Sequence, residues 1–207
     1  LGPVTVRWNP KWSRFYTCNM LGDSVTVVRL RHAGSSLAFD VERTVAVMDE
    51  PMDIALFPGN DIAFVTSNSD SSLSVRSAVD LTVLGPGLER VHLFDSFAAP
   101  SRALKEPRRI LMAGSKLIVL GHRGSRVGGP GGMDLWCMDF QTGQITTRDR
   151  LGSGNLAIKA GPSGALFVAS TTGEISRLGE ASVAAAPTGF VRSLLHRIDS
   201  VAAGRCV

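Results

Sequence analysis

Apolar runs of four to seven residues, rich in Val, Ile, Leu and Phe, alternate along this chain with clusters of Gly, Asn, Asp and Ser. Runs of that length with those boundaries are strands and turns. A first set of predicted strands is Val4–Trp8, Arg14–Cys18, Ser24–Leu30 and Thr44–Met48. A second is Asp53–Phe57, Ile62–Ser67, Leu73–Arg76 and Arg90–Phe94. The third is Ile110–Met112, Lys116–Leu120, Asp134–Phe140 and Ile145–Asp149, and the fourth is Leu156–Lys159, Ala165–Ala169 and Glu174–Leu178. The last segment changes period. Phe190, Val191, Leu194, Leu195, Ile198 and Val201 recur at helical spacing behind Thr188 or Gly189, which predicts a short amphipathic helix near 189–199. The competing reading of that segment is the outer strand of the fourth set.

The sets are copies of one unit. Phe15-Tyr16-Thr17-Cys18-Asn19 lies over Ala63-Phe64-Val65-Thr66-Ser67, and the flanking prolines Pro3 and Pro10 match Pro51 and Pro58 at the same offset. A third unit starts at Pro107 and continues to Gly121, and a fourth runs from Leu156 to Ser170. A repeat of roughly 50 residues with four short strands in each copy predicts the blades of a β-propeller. The fold expected is all-β, as one propeller domain with approximate blades 1–48, 49–100, 101–152 and 153–207.

Phe-Tyr-Thr-Cys-Asn at 15–19 followed by Ser-Val-Thr-Val-Val at 24–28, and Phe-Val-Thr-Ser-Asn at 64–68 followed by Leu-Ser-Val at 73–75, resemble the YVTN-type β-propeller repeat. Its signature is an aromatic-Val-Thr-Asn strand, a short turn and a Val-Ser-Val-Ile-Asp strand. The match covers the first half well and decays to Ile118-Val119-Leu120-Gly121 and Phe167-Val168-Ala169-Ser170. The resemblance implies a secreted or periplasmic protein. Members of that class either stand alone or are joined to c-type haem or other redox domains. It also implies a partial propeller, because such repeats more often close as seven blades. The matched residues are strand residues, so no catalytic or binding residue is carried over. An open arc exposes apolar faces at both ends and is expected to self-associate.

Composition agrees with a globular domain, with 207 residues of which 44% are hydrophobic, and a mean hydropathy of +0.14. No run approaches the ~18 apolar residues of a spanning helix. The start at Leu1-Gly2-Pro3 suggests a removed export signal or an excised domain. The net charge of +4 comes from scattered arginines, without the basic stripe and stacking aromatics that nucleic acid requires.

Candidate chemistry is sparse. Cys18, Cys137 and Cys206 are too far apart for a zinc motif and read as buried thiols, with a Cys18–Cys137 bridge dependent on how the blades meet. No Cys-x-x-Cys-His attaches a haem. His32, His92, His122 and His196 show neither metal nor base–nucleophile spacing. The acidic turns around Asp23 and Asp70 lack the ligand pattern of a calcium loop and read as hairpin turns. Trp8, Trp12 and Trp136 read as packing between blades.

The distinctive element is the long glycine-rich segment between His122 and Asp134, which replaces a short turn of the first two units. Insertions on a rigid scaffold are where binding concentrates. Its backbone N–H groups, with Arg123 and Arg126 in it and Arg108 and Arg109 beside it, suit an anion, while the Gly-Lys-Ser/Thr of a phosphate loop is missing. The candidate ligand contacts are thus Arg108, Arg109, His122, Arg123 and Arg126, with no catalytic, metal or cofactor residues. The function expected is a noncatalytic exported scaffold for a protein or small-molecule ligand, with no nucleic-acid partner and no membrane span. The alternative is the propeller portion of an oxidoreductase or cytochrome-associated protein whose redox centre or further blades lie elsewhere in a longer chain.

Overall fold

The computed structural model describes residues 2–95, 100, 102–122, 132–148, 151, 154–161 and 165–178. The first sheet contains β1 (Pro3–Asn9), β2 (Arg14–Asn19), β3 (Ser24–Ala33) and β4 (Ser36–Ala46) in that order, all antiparallel. The second repeats the meander with β5 (Pro51–Leu56), β6 (Ile62–Ser67), β7 (Ser72–Ser77) and β8 (Val91–His92). After β9 (Ala103–Leu104) come β10 (Pro107–Ala113) and β11 (Lys116–Gly121), then β12 (Gly132–Met133), β13 (Leu135–Asp139) and β14 (Ile145–Arg148). The third sheet is β10-β11-β13-β14, and β9 pairs with β12 in parallel beside it. The fourth is β15 (Asn155–Ala160), β16 (Leu166–Ser170) and β17 (Ile175–Leu178).

The unit is repeated in detail as well as in outline. Each first strand slips register against its second strand near its start, at Pro3/Thr5, Pro51/Ile54, Pro107/Arg109 and Asn155/Ala157. A proline opens three of the four strands, where a missing N–H interrupts no ladder. The first strands stand side by side, β1 against β5, β5 against β10 and β10 against β15. The sheets are therefore successive blades around a common axis. Apolar side chains fill each gap. Tyr16, Val25 and Val27 meet Ile54, Ala63 and Val65; Phe64, Leu73 and Val75 meet Ile110, Leu117 and Val119; Ile118, Leu120 and Leu135 meet Val168 and Leu178.

Two strand expectations are corrected. In the first blade the outer strand is Ser36–Ala46 rather than Thr44–Met48, because β3 runs on to Ala33 and turns through Gly34 at φ 62° into a long hairpin. In the second, only Val91 and His92 form the outer strand. The edge of β7 is already occupied by residues 82–88, through Ser77 N–H to the Thr82 carbonyl, Leu84 N–H to that of Val75 and Val75 N–H to that of Leu88. Trp136 packs between blades as expected, with Nε1 donating to the Phe94 carbonyl at 2.9 Å, but Trp8 is 40% exposed on the outer side of the first blade. The helical segment near 189–199 lies outside the described residues.

Candidate ligand-binding rim

One edge of the blades gathers the turns after the second strands and the starts of the first strands. A shared backbone bond closes each blade there. Met20 N–H donates to the Gly2 carbonyl at 3.1 Å, Asn68 to Glu50 at 3.0 Å, His122 to Glu106 at 3.1 Å and Thr171 to Gly154 at 2.8 Å. The accepting residue is left-handed at Glu50 (φ 49°), Glu106 (φ 48°) and Gly154 (φ 70°). A side chain at Gly154 would meet Thr171 Oγ1 at 2.3 Å, so glycine is required in the fourth blade. Holding two glutamates in this region costs on the order of 1–2 kcal/mol each.

The rim changes character from blade to blade. At the first and second blades it is acidic and internally bonded. Glu50 accepts from Asn68 Nδ2 at 2.8 Å and Ser69 Oγ at 2.7 Å, which hold its carboxyl below the ordinary range, while Asp23 accepts the Glu50 N–H at 3.0 Å and Arg90 pairs with Asp70 at 3.1 Å. Partial withdrawal from water, and after it the facing Asp23 carboxylate, push Asp49 up. At the third blade the polar groups are left over. Arg108 Nε and His122 Nδ1 are buried without a hydrogen-bond partner, as is Asn68 Oδ1 at the neighbouring position of the second blade. Buried donors without partners are uncommon in proteins. Arg108 also lies close enough to Glu50 to help hold that carboxyl down.

Of the sequence candidates, Arg108 and His122 thus sit at the same end of the third blade. Arg109 takes a different course, with Nη1 donating to the Arg108 carbonyl at 3.1 Å and its charge felt by Cys18 two blades away. Arg123 and Arg126 lie outside the described residues. The return of their loop is fixed by Asp134, which is buried and whose Oδ2 accepts the Leu151 N–H at 2.7 Å.

Nearer the axis is a group that no sequence motif marks. Asp53 is wholly buried, and its carboxylate accepts from Thr5 Oγ1 at 3.0 Å, Arg7 Nη2 at 2.9 Å, Ile54 N–H at 2.9 Å and Ile110 N–H at 3.2 Å. Those donors come from three blades. The available signal was one acid inside the otherwise apolar run Pro51-Met-Asp-Ile-Ala-Leu56. Buried acids pair, as Asp53 does.

Burial, and for Cys18 also the nearby Asp53, push both the Cys18 and Cys137 thiols up. The two lie in different gaps, Cys18 between the first and second blades and Cys137 between the third and fourth, and both are free. The bridge considered from sequence is therefore not formed. A thiol reagent at pH 8 should leave both unlabelled in the native protein and label both after denaturation. Mass spectrometry of the native reaction reads this directly, and labelling at either position would contradict the packing. Among the described residues, no group of three His, Cys, Asp or Glu side chains is placed to hold a metal ion.

No protein-family model matches this chain. No curated protein matches it either. Solved structures do. A protein from Lactobacillus plantarum is 16% identical with a TM-score of 0.54, over 87% of this chain and 57% of that one. A structure described as a putative 6-phosphogluconolactonase from Bacteroides uniformis is 10% identical with a TM-score of 0.54, over 88% and 55%. Dihydro-heme d1 dehydrogenase NirN is 13% identical with a TM-score of 0.55, over 89% and 36%. The chain spans little more than half the length of the first two and about a third of the last. At such identities the likeness concerns fold alone, and the fold is that of a β-propeller.

Proposed function

We propose that this chain is a noncatalytic propeller scaffold that binds an anionic group, carried by a protein or a small ligand, at the rim of its third blade. The observation behind this reading is the pair of buried donors, Arg108 Nε and His122 Nδ1, left without partners at the base of the long loop. A carboxylate or phosphate oxygen accepts from Arg108 Nε and from the His122 tautomer that carries its hydrogen on Nδ1. The acidic rim of the first two blades repels an anion and confines it to this side. Inorganic phosphate is the minimal probe. Calorimetry should give a dissociation constant of about 1 mM for the wild type. The Arg108→Ala/His122→Ala variant should bind more than about a hundredfold more weakly, from the loss of two charge-assisted bonds of about 1.5–3 kcal/mol each. Equal affinity in both proteins, or no binding to the wild type, counts against the reading.

The assignment to the YVTN repeat class and a location outside the cytoplasm belong to the same proposal. The aromatic and threonine residues of β2 and β6 support the first, and cell fractionation tests the second. The alternative of a redox-associated propeller draws on the fold likeness to the dihydro-heme d1 dehydrogenase. It predicts haem or quinone absorbance in the native protein at a mass well above 22.0 kDa.

A further inference from the structure

We propose that the ligand of the third-blade rim is a free α-amino acid, held as a zwitterion with its carboxylate on Arg108 and His122 and its ammonium on Asn68 and Glu50. This rests on the reading of that rim as an anion site and names what the anion carries with it. An anion alone satisfies only part of what is left over there. Beside the two unpartnered donors, Arg108 Nε and His122 Nδ1, lies an unpartnered acceptor, the buried Asn68 Oδ1. A carboxylate offers this atom nothing, because it has no hydrogen to donate. The other end of the amide fixes its orientation: Asn68 Nδ2 donates to Glu50 Oε2 at 2.8 Å, and exchanging the oxygen for the nitrogen would lose that bond. Ser69 Oγ donates to the same Glu50 oxygen at 2.7 Å. Both bonds fall on Oε2, which leaves Oε1 as a second acceptor and the carboxylate as a negative charge.

These groups belong to one place. Glu50 and Asn68 lie on the second blade, joined by the Asn68 N–H to the Glu50 carbonyl at 3.0 Å. The turn that follows Asn68 reaches across to the third blade, where Ser71 Oγ accepts the Glu106 N–H at 3.4 Å and the Glu106 carbonyl accepts the His122 N–H at 3.1 Å. Arg108 is close enough for its charge to lower the Glu50 carboxyl, and its Nε stays unpartnered all the same. The second blade thus supplies acceptors and negative charge, and the third supplies donors and positive charge. A simple anion is attracted by one side and repelled by the other, and a simple cation meets the reverse. A molecule with a carboxylate and an ammonium on one carbon gains from both, and at neutral pH a free α-amino acid is such a molecule. Its ammonium has N–H groups enough for Asn68 Oδ1 and Glu50 Oε1 together, and its carboxylate has acceptors for Arg108 and His122. A peptide does not fit on the same chemistry, since its terminal carboxylate and its terminal ammonium sit on different residues.

Calorimetry of the chain at neutral pH with glycine, acetate and inorganic phosphate tests this. Glycine should bind about tenfold or more tightly than acetate, because its ammonium adds charge-assisted bonds that acetate cannot make. Glu50→Gln keeps an acceptor oxygen for Asn68 and Ser69 and removes the charge. In that variant glycine should bind about tenfold more weakly, while acetate binds at least as tightly as to the wild type because its repulsion has gone. A side chain with only a structural role would move both ligands in the same direction. Acetate and phosphate bound, with glycine no tighter than acetate, overturns the zwitterion and leaves the anion rim standing. None of the three bound overturns the rim itself and the zwitterion with it. Equal losses of glycine and acetate binding in Glu50→Gln also overturn the zwitterion. The comparison of glycine with acetate is made on the wild type, so it decides the matter even where the variant fails to fold.

Discussion

Replacing Asp53 with Ala should lower stability by about 3–5 kcal/mol, the loss expected when a buried acceptor shared by several donors is removed and two buried N–H groups are left unpaired. The carboxylate is wholly buried and receives four donors from the first three blades. Without it, the Ile54 and Ile110 N–H groups are left buried with no acceptor, and each carries a desolvation cost of about 1–3 kcal/mol. Arg7 is better placed, since it is 43% exposed and keeps its bond to the Ile54 carbonyl at 3.0 Å. The melting temperature should fall by roughly 6–20 °C for a chain of this size. Asp53→Asn retains the shape and one acceptor oxygen and should fall between the two. Thermal unfolding of the three proteins measures this, and an Asp53→Ala variant as stable as wild type would mean that the three blades are not held through this carboxylate.

The Phe64→Ala variant should lose a comparable amount, about 3–5 kcal/mol. Phe64 is buried in the gap between the second and third blades, stacked on Phe140 at 5.7 Å and edge-on to Phe57 at 6.4 Å. Truncation leaves a cavity bounded by rigid sheets on both sides, which cannot collapse to fill it. Its counterpart in the fourth blade is the control. Phe167→Ala should cost less than about 1 kcal/mol, because its ring is 39% exposed and, among the described residues, has no further blade against it. Urea unfolding of both variants at low protein concentration compares the same side chain at the same repeat position with and without a covering blade. Equal losses would contradict the exposure of the Phe167 ring.

The strands were legible because each is short, apolar and bounded by turn residues, and because the unit is written several times. Ile62–Ser67 is found where the alternation places it. The long hairpin of the first blade was not, since Arg31, His32 and the Gly34-Ser35 turn read as the end of a strand when β3 and β4 in fact extend past the blade. The short outer strand of the second blade depends on a loop filling the edge of β7, a tertiary event without a local signature. For the candidate site, charge and loop length singled out Arg108 and His122. That their ring and guanidinium nitrogens are both buried without partners is a fact of packing. Asp53 shows the same limit from the other side: its position was visible as a lone acid in an apolar strand, but its donors come from residues 48 and 57 positions away.

The most direct test of the binding rim is an NMR titration of the isotope-labelled protein with inorganic phosphate, following backbone amides together with the Arg108 Nε–H and the His122 ring. The rim assignment predicts shifts concentrated at Arg108, Gly121 and His122, small changes at Asp23 and Asp70, and none at Trp12 on the opposite edge. Shifts centred away from the third-blade rim, or no shifts at millimolar phosphate, would contradict it.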